Sequence, residues 1–230
     1  MSEKQQHRDP VFIFDLDGTL VDSVYQHVLA WGEALQQGGI ELPNWRIHRF
    51  IGMSGGLIVR ALAREAGRSV SEEEAERLQR LHGEAYSRRA AETRLLPGAR
   101  ELLAALTDSE IRWAIATSGK RDKQQHAFDL LNIGEDVPVI TRDEVQHAKP
   151  APDLFEAAAR KLRVDLMDCV VIGDSVWDLL AARRARALGV GLLAGGYGED
   201  ELIRAGAYRV YKDPADLLAH LDELGVRLSA

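Results

Sequence analysis

Apolar and polar positions alternate along this chain in two rhythms. Short apolar runs rich in valine and isoleucine recur between longer segments with helical spacing, the pattern of a parallel sheet covered by helices. The runs predict strands over residues 11–14, 112–116, 137–140, 169–172 and 190–193, with a weaker edge strand over 208–211. Helices are predicted over 98–106, 120–131, 153–162, 177–187 and 214–224. The expected fold class is therefore α/β, a Rossmann-like parallel sheet.

One interval breaks the alternation. From Asp22 to Leu95 the chain offers helical patterns and no convincing strand. An inserted helical domain over residues 22–95 is expected, carried by an α/β core of residues 1–21 and 96–230. Within it, residues 57–62 and 71–89 read as successive helices, and Ser71 followed by Glu74 fits a capping box. The return to the sheet is expected at Leu96-Pro97-Gly98, where proline and glycine punctuate the chain.

Composition narrows the class of protein. With 230 residues, 46% hydrophobic and 28% charged, the chain can bury a sizeable core beneath a soluble surface. Its formal charge, 29 − 36 = −7, argues against broad nucleic-acid binding and would repel a phosphate-bearing partner unless a site concentrates positive charge. The single cysteine, Cys169, lies in an apolar run and excludes an intrachain disulfide or a cysteine-rich zinc site. The seven histidines include no close pair with zinc-site spacing, so solvated or structural roles are expected for them. Residues 1–10 are polar and no apolar run approaches membrane-spanning length, which predicts a cytoplasmic protein without a membrane partner.

Candidate chemistry gathers where strands end. The first strand runs into Asp15-Leu16-Asp17-Gly18-Thr19, at the carboxyl edge where open α/β sheets bind ligands. After the second predicted core strand comes Thr117-Ser118-Gly119-Lys120, a hydroxyl and free backbone N–H groups suited to an anion, or to ordinary helix capping. The third is followed by Lys149 beside Pro150 and Pro152, which can aim a lysine with less entropic loss. The fourth leads to Gly173-Asp174-Ser175-Val176-Trp177-Asp178. Each cluster alone has a structural explanation as a turn, cap or surface charge. Four polar clusters at four strand ends together point to a site.

In these motifs the chain resembles the haloacid dehalogenase superfamily of phosphotransferases, from Val11 to about Leu224. The helical insert looks like the cap of the phosphoglycolate-phosphatase-like branch, with weaker support from the segment Arg49 to Gly55 and from Gly196-Tyr197-Gly198. The resemblance implies a magnesium-dependent phosphatase acting on a small phosphorylated metabolite, of phosphoglycolate or sugar-phosphate type, through an aspartyl-phosphate. Asp15 would be the nucleophile, and Asp17 the general acid and then base, its protonated state favoured locally. Thr117, Ser118, Gly119 and Lys149 would hold the phosphoryl group. Asp15, Asp174 and the backbone carbonyl of Asp17 would bind Mg²⁺, with Asp178 on a metal water or orienting Lys149. Arg49, with Met53 and Ser54, is the expected cap contact for the rest of the substrate, and the insert a mobile lid. A monomer or homodimer is expected.

Neighbouring functions fit less well. Related β-phosphoglucomutases carry a phosphate-gripping arginine where this chain has Gly55-Gly56, although Arg49 and Arg60 are nearby cations. A dehalogenase would lack Asp17, and a phosphonate hydrolase would need a cap lysine, whereas no lysine lies between Lys4 and Lys120. A non-catalytic binding protein on the same fold would not need Asp15, Asp17, Lys149 and Asp174 together. The segment from Gly189 to Ala194 formally fits a dinucleotide-binding fingerprint, but reads as a strand rather than as the turn after one.

Overall fold

The computed structural model describes residues 10–134, 136–147 and 149–226. In chain order its elements are β1 Val11–Phe14, β2 Val21–Asp22, α1 Val24–Gln37, α2 Asn44–His48, α3 Gly55–Glu65, α4 Glu72–Arg89, β3 Arg94–Leu95 and α5 Ala99–Asp108. There follow β4 Trp113–Ala116, α6 Arg121–Leu131, β5 Val139–Ile140, α7 Asp153–Leu162, β6 Cys169–Gly173, α8 Val176–Arg184, β7 Leu188–Leu192, α9 Glu199–Ala205, β8 Ala207–Tyr211 and α10 Pro214–Ala219.

All four residues of β1 are apolar and buried, which a strand sustains only when both faces of its sheet are covered. The six-stranded sheet runs β5-β4-β1-β6-β7-β8 with every pair parallel, so β1 sits inside it. Successive side chains alternate faces. Phe12 and Phe14 enter a core with Val170, Ile172, Leu102, Phe128 and Leu217. Val11 and Ile13 enter the opposite core with Ala114, Cys169, Val171, Phe155 and Ala181. Burial pushes the Cys169 thiol up to about 11, which suits an inert core group.

The departures from the predicted boundaries have local causes. Strand β5 starts at Val139 and not at 137, because Pro138 has no N–H to give; its carbonyl still accepts from Ile115 at 3.0 Å. The last predicted helix stops at Ala219 and continues as a 3-10 turn over Leu221–Leu224. The capping box at Ser71 is formed in one direction, its hydroxyl accepting from the Glu74 N–H at 3.1 Å.

The helical segment between β2 and β3 has its own apolar cluster, including Val28, Trp31, Leu35, Ile47, Leu62 and Leu78. Its two ends are tied by a small ladder absent from the sequence reading: β2 pairs antiparallel with β3, Val21 opposite Leu95 and Asp22 opposite Arg94. Two-residue strands carry too little pattern to be seen in a sequence. Among the described residues no helix is long and apolar enough to cross a membrane.

After this ladder the chain returns to the core through Pro97 and Gly98. The Pro97 carbonyl accepts from Ala215 N at 2.9 Å, which draws α10 against the start of α5. Gly98 has φ of 75°, and a Cβ there would stand 2.5 Å from the Ala215 Cα. Gly98→Ala should therefore lower stability by roughly 2–4 kcal/mol, from left-handed strain plus overpacking, as read by urea unfolding.

Candidate active site

Strand β1 ends at Asp15, whose N–H is held by the Ile172 carbonyl of β6 at 2.9 Å. The chain then turns sharply. Gly18 has φ of 84°, its N–H donates to Val21 O at 2.7 Å, and the N–H groups of Leu20 and Val21 both reach Leu16 O. A Cβ on Gly18 would lie 2.4 Å from Asp174 Oδ2, so the turn presses against the carboxylate at the end of β6. Gly195 approaches from the other side, where a Cβ would fall 1.8 Å from the same oxygen. Thr19 donates from its hydroxyl to Asp174 Oδ1 at 3.0 Å.

The third carboxylate is positioned by helix capping. Ser175 caps α8, and Asp178 returns Oδ2 to the Ser175 N–H at 3.1 Å. Its other oxygen, Oδ1, stands 2.8 Å from Lys149 Nζ. Lys149 is fully buried, and its ammonium also donates to Asp15 Oδ1. One oxygen from each of Asp15, Asp174 and Asp178 lies within 4.8 Å of the others.

Three carboxylates against one ammonium leave a formal charge of −2 in a buried pocket. The acids respond accordingly. Burial raises the Asp15 carboxyl to about 7 against the pull of Lys149, with the charges of Asp178 and Asp17 adding to the rise. Burial also drives Asp174 well above the usual carboxylate range, helped by Asp178 and Asp15. For Lys149 burial acts to lower the pKa, but the two carboxylates outweigh it and hold the ammonium charged.

Asp17 differs in every respect. Its carboxylate faces away from the trio and accepts from Ser23 Oγ and Gln124 Nε2, each at 2.6 Å. His27 Nε2 stands 3.3 Å from Oδ1. Burial alone would raise its pKa, yet attraction to His27 and the donors from His27, Ser23 and Gln124 lower it. The sequence reading expected the protonated form to be favoured here. The free site favours the carboxylate instead, because three donors converge on it.

Thr117 follows β4, its N–H bonded to Ile140 O at 3.0 Å and its hydroxyl accepting from the Gly119 N–H at 3.0 Å. Ser118 donates to the Gly52 carbonyl in the helical segment at 3.2 Å. Gly119 leaves room for Gln124, whose amide a Cβ would meet at 2.2 Å.

The stretch from His48 to Ser54 lies over these loops. His48 Nε2 is 2.7 Å from Gly195 O, and the Ser54 N–H reaches Lys149 O at 3.3 Å. Trp177 Nε1 and the Tyr197 hydroxyl both donate to the Arg49 carbonyl, at 3.1 and 2.8 Å. The Arg49 guanidinium, expected among the substrate contacts, is engaged elsewhere: it pairs with Glu201 and lies 4.3 Å from the Tyr197 ring centroid. Ser23, His27 and Gln124 escaped the sequence reading. A lone serine, histidine and glutamine on helix starts and faces carry no signal until the fold aims them at Asp17.

Comparison with known proteins agrees with this arrangement. The family described as haloacid dehalogenase-like hydrolase matches residues 10–186. The validoxylamine A 7'-phosphate phosphatase of Streptomyces hygroscopicus subsp. limoneus is 32% identical over 184 residues, covering 79% of this chain and 84% of its own. The phosphoglycolate phosphatase of Rhodospirillum rubrum is 29% identical over 212 residues, covering 89% and 88%. Among solved structures, a hydrolase from Pseudomonas syringae superposes with a TM-score of 0.92 at 54% identity, covering 94% of this chain and 99% of that one.

Removing the ammonium from this pocket should cost stability in a pH-dependent way. Lys149→Met leaves buried acids unpaired, and metal-free protein at pH 8 should lose roughly 3–5 kcal/mol in urea unfolding. A carboxyl whose folded-state pKa is raised is better tolerated in the fold once protonated, so the penalty should shrink as pH falls from about 7 toward the unfolded value of 3.8. Equal losses at pH 8 and pH 5 would contradict that account.

Proposed function

Because the chain belongs to the haloacid dehalogenase-like hydrolase family, we propose that it is a magnesium-dependent phosphatase that attacks small phosphorylated metabolites with Asp15. The observation that carries this reading is the buried cluster of Asp15, Asp174 and Asp178 around Lys149 at the carboxyl ends of the sheet. The names of the relatives support a substrate of sugar-phosphate or phosphoglycolate type. A cytoplasmic setting goes with such a substrate.

The residues fit the metal. A divalent cation would cancel the formal −2 of the cluster, and three hard oxygen donors are what magnesium takes. Asp15 and Asp174 would hold it, with the backbone carbonyl of Asp17. Gly18 and Gly195 leave the Asp174 carboxylate free of neighbouring Cβ atoms. Bound there, magnesium would neutralise charge on the phosphoryl oxygens and on Asp15.

The chain's own groups divide the remaining work. An Asp15 oxygen forms a bond to phosphorus as the ester P–O bond breaks, giving an aspartyl-phosphate. Lys149, with Thr117 and the amides near Ser118 and Gly119, holds the phosphoryl oxygens. Asp17 gives a proton to the departing oxygen and then takes one from the water that hydrolyses the intermediate, which regenerates Asp15. The carboxylate form favoured in the free site suits the second half-reaction, so the first requires proton uptake as substrate binds.

Residues 22–95 would act as the cap over this site, hinged at the β2–β3 ladder, and exclude water from the intermediate. Arg49 would meet an anionic substrate tail only by leaving Glu201. Arg60 is likewise paired, with Glu72. Both cap cations considered for a second phosphate are thus engaged, which favours a phosphatase over a phosphomutase.

Two outcomes test the reading. Assayed with Mg²⁺ on phosphoglycolate, sugar phosphates and nucleoside monophosphates, the wild type should release phosphate, and folded Asp15→Asn should fall by about three orders of magnitude or more. In thermal denaturation, Mg²⁺ should raise the Tm more at pH 8 than at pH 5.5, because the cation displaces protons from Asp15 and Asp174. Asp174→Asn should abolish that shift.

A further inference from the structure

Two histidines remote in sequence meet beside Asp17. His27 projects from α1 and His82 from α4, and their rings approach through His27 Nδ1 and His82 Nε2 at 3.1 Å. Both rings are walled by aromatics. His27 stacks on Tyr86 with centroids 3.9 Å apart and planes within 5°, and His82 stacks on Trp31 at 4.1 Å and 12°. His27 Nε2 is buried without a well-aligned hydrogen-bond partner, and faces Asp17 Oδ1 at 3.3 Å.

Packing alone does not account for this arrangement. Two phenyl rings would stack as well, whereas burying imidazole nitrogens is unfavourable unless they are paired. Here the nitrogens line up toward a carboxylate. We propose that His27, held from behind by His82, is a positioning residue that the helical segment supplies to the Asp17 carboxyl, fixing the oxygen that exchanges protons with the leaving group. The proposal rests on the phosphatase reading only for its kinetic consequence.

The direction of the chain of bonds follows from charge. Burial holds His82 neutral, so it carries one N–H. If that proton lies on Nε2 it donates to His27 Nδ1, and the proton of a neutral His27 must then sit on Nε2, toward Asp17. The opposite arrangement would aim a bare nitrogen lone pair at a carboxylate. Asp17 therefore selects the Nε2–H form of His27, and His82 locks it. Ser23 and Gln124 come from the ladder's edge and from α6, so the histidine pair is the contribution of the helical bundle itself to this carboxyl. Through it, closure of α1 and α4 over the sheet is coupled to the orientation of the proton-transfer group.

Kinetics on two esters and histidine spectra test this independently. His27→Phe keeps the stack on Tyr86 and loses the N–H. On an alkyl phosphate it should lower kcat roughly 10- to 100-fold with little change in KM, and on p-nitrophenyl phosphate, which needs little leaving-group protonation, by no more than a few-fold. His27→Gln, which can still donate from its amide, should recover most of the loss, and His82→Phe should show the same pattern in weaker form. Equal losses on both esters, or an unchanged kcat on the alkyl ester, overturn the proposal. In ¹⁵N-histidine spectra of the wild type, His27 should be protonated at Nε2 and bare at Nδ1, and both Asp17→Asn and His82→Phe should move its resonances. A bare Nε2, or indifference to Asp17→Asn, overturns it as well. If the wild type hydrolyses neither ester, the phosphatase reading fails, and the spectra still decide the placement of His27.

Discussion

A single buried ammonium holds three buried acids in place. Lys149 bridges Asp15 and Asp178, and Asp174 completes the group without a cation of its own. Concentrating carboxylates away from water is unfavourable unless charge and hydrogen bonds compensate. Much of the local architecture provides that compensation. Thr19 and Ser175 supply hydroxyls, the cap of α8 orients Asp178, and Gly18, Gly173 and Gly195 keep side-chain atoms out of the pocket. The residual negative charge gives the site its appetite for a cation and explains why Asp15 and Asp174 hold protons so readily in its absence.

The sheet was legible in the sequence because strands buried on both faces read as unbroken apolar runs, and Val11–Phe14 and Cys169–Gly173 are of that kind. The site's outline was legible for a related reason. Parallel strands deliver their carboxyl ends to one edge, so polar residues following four such runs had to converge. What the sequence hid were contacts with no period. Gln124 meets Asp17 across 107 positions and His27 meets His82 across 55, and no local pattern announces either pairing. The environment of Asp17 was misjudged for that reason: its donors come from distant helices. Arg49 likewise could not be seen to have Glu201, 152 residues on, as its partner.

The seam between the helical segment and the sheet has a different character from the two cores. It is stitched by polar contacts, several to main-chain carbonyls: Trp177 and Tyr197 to Arg49, Ser118 to Gly52, His48 to Gly195. Bonds of this kind exchange with water at small net cost, while their directions fix one closed arrangement. The same seam carries the side chains that face the substrate, so opening and selectivity are governed by one set of contacts.

The short β2–β3 ladder has an implication for how such enzymes diversify. With Val21 opposite Leu95, the chain departs from the sheet and comes back at adjacent points, about 5 Å apart. To the folding sheet, everything between them is the loop of a hairpin. Its length and sequence can change without disturbing strand order, and the penalty for closing a longer loop grows only logarithmically. Reaction chemistry and choice of molecule are thereby inherited as separate modules, one conserved by the demands of a crowded anionic pocket, the other free to be exchanged.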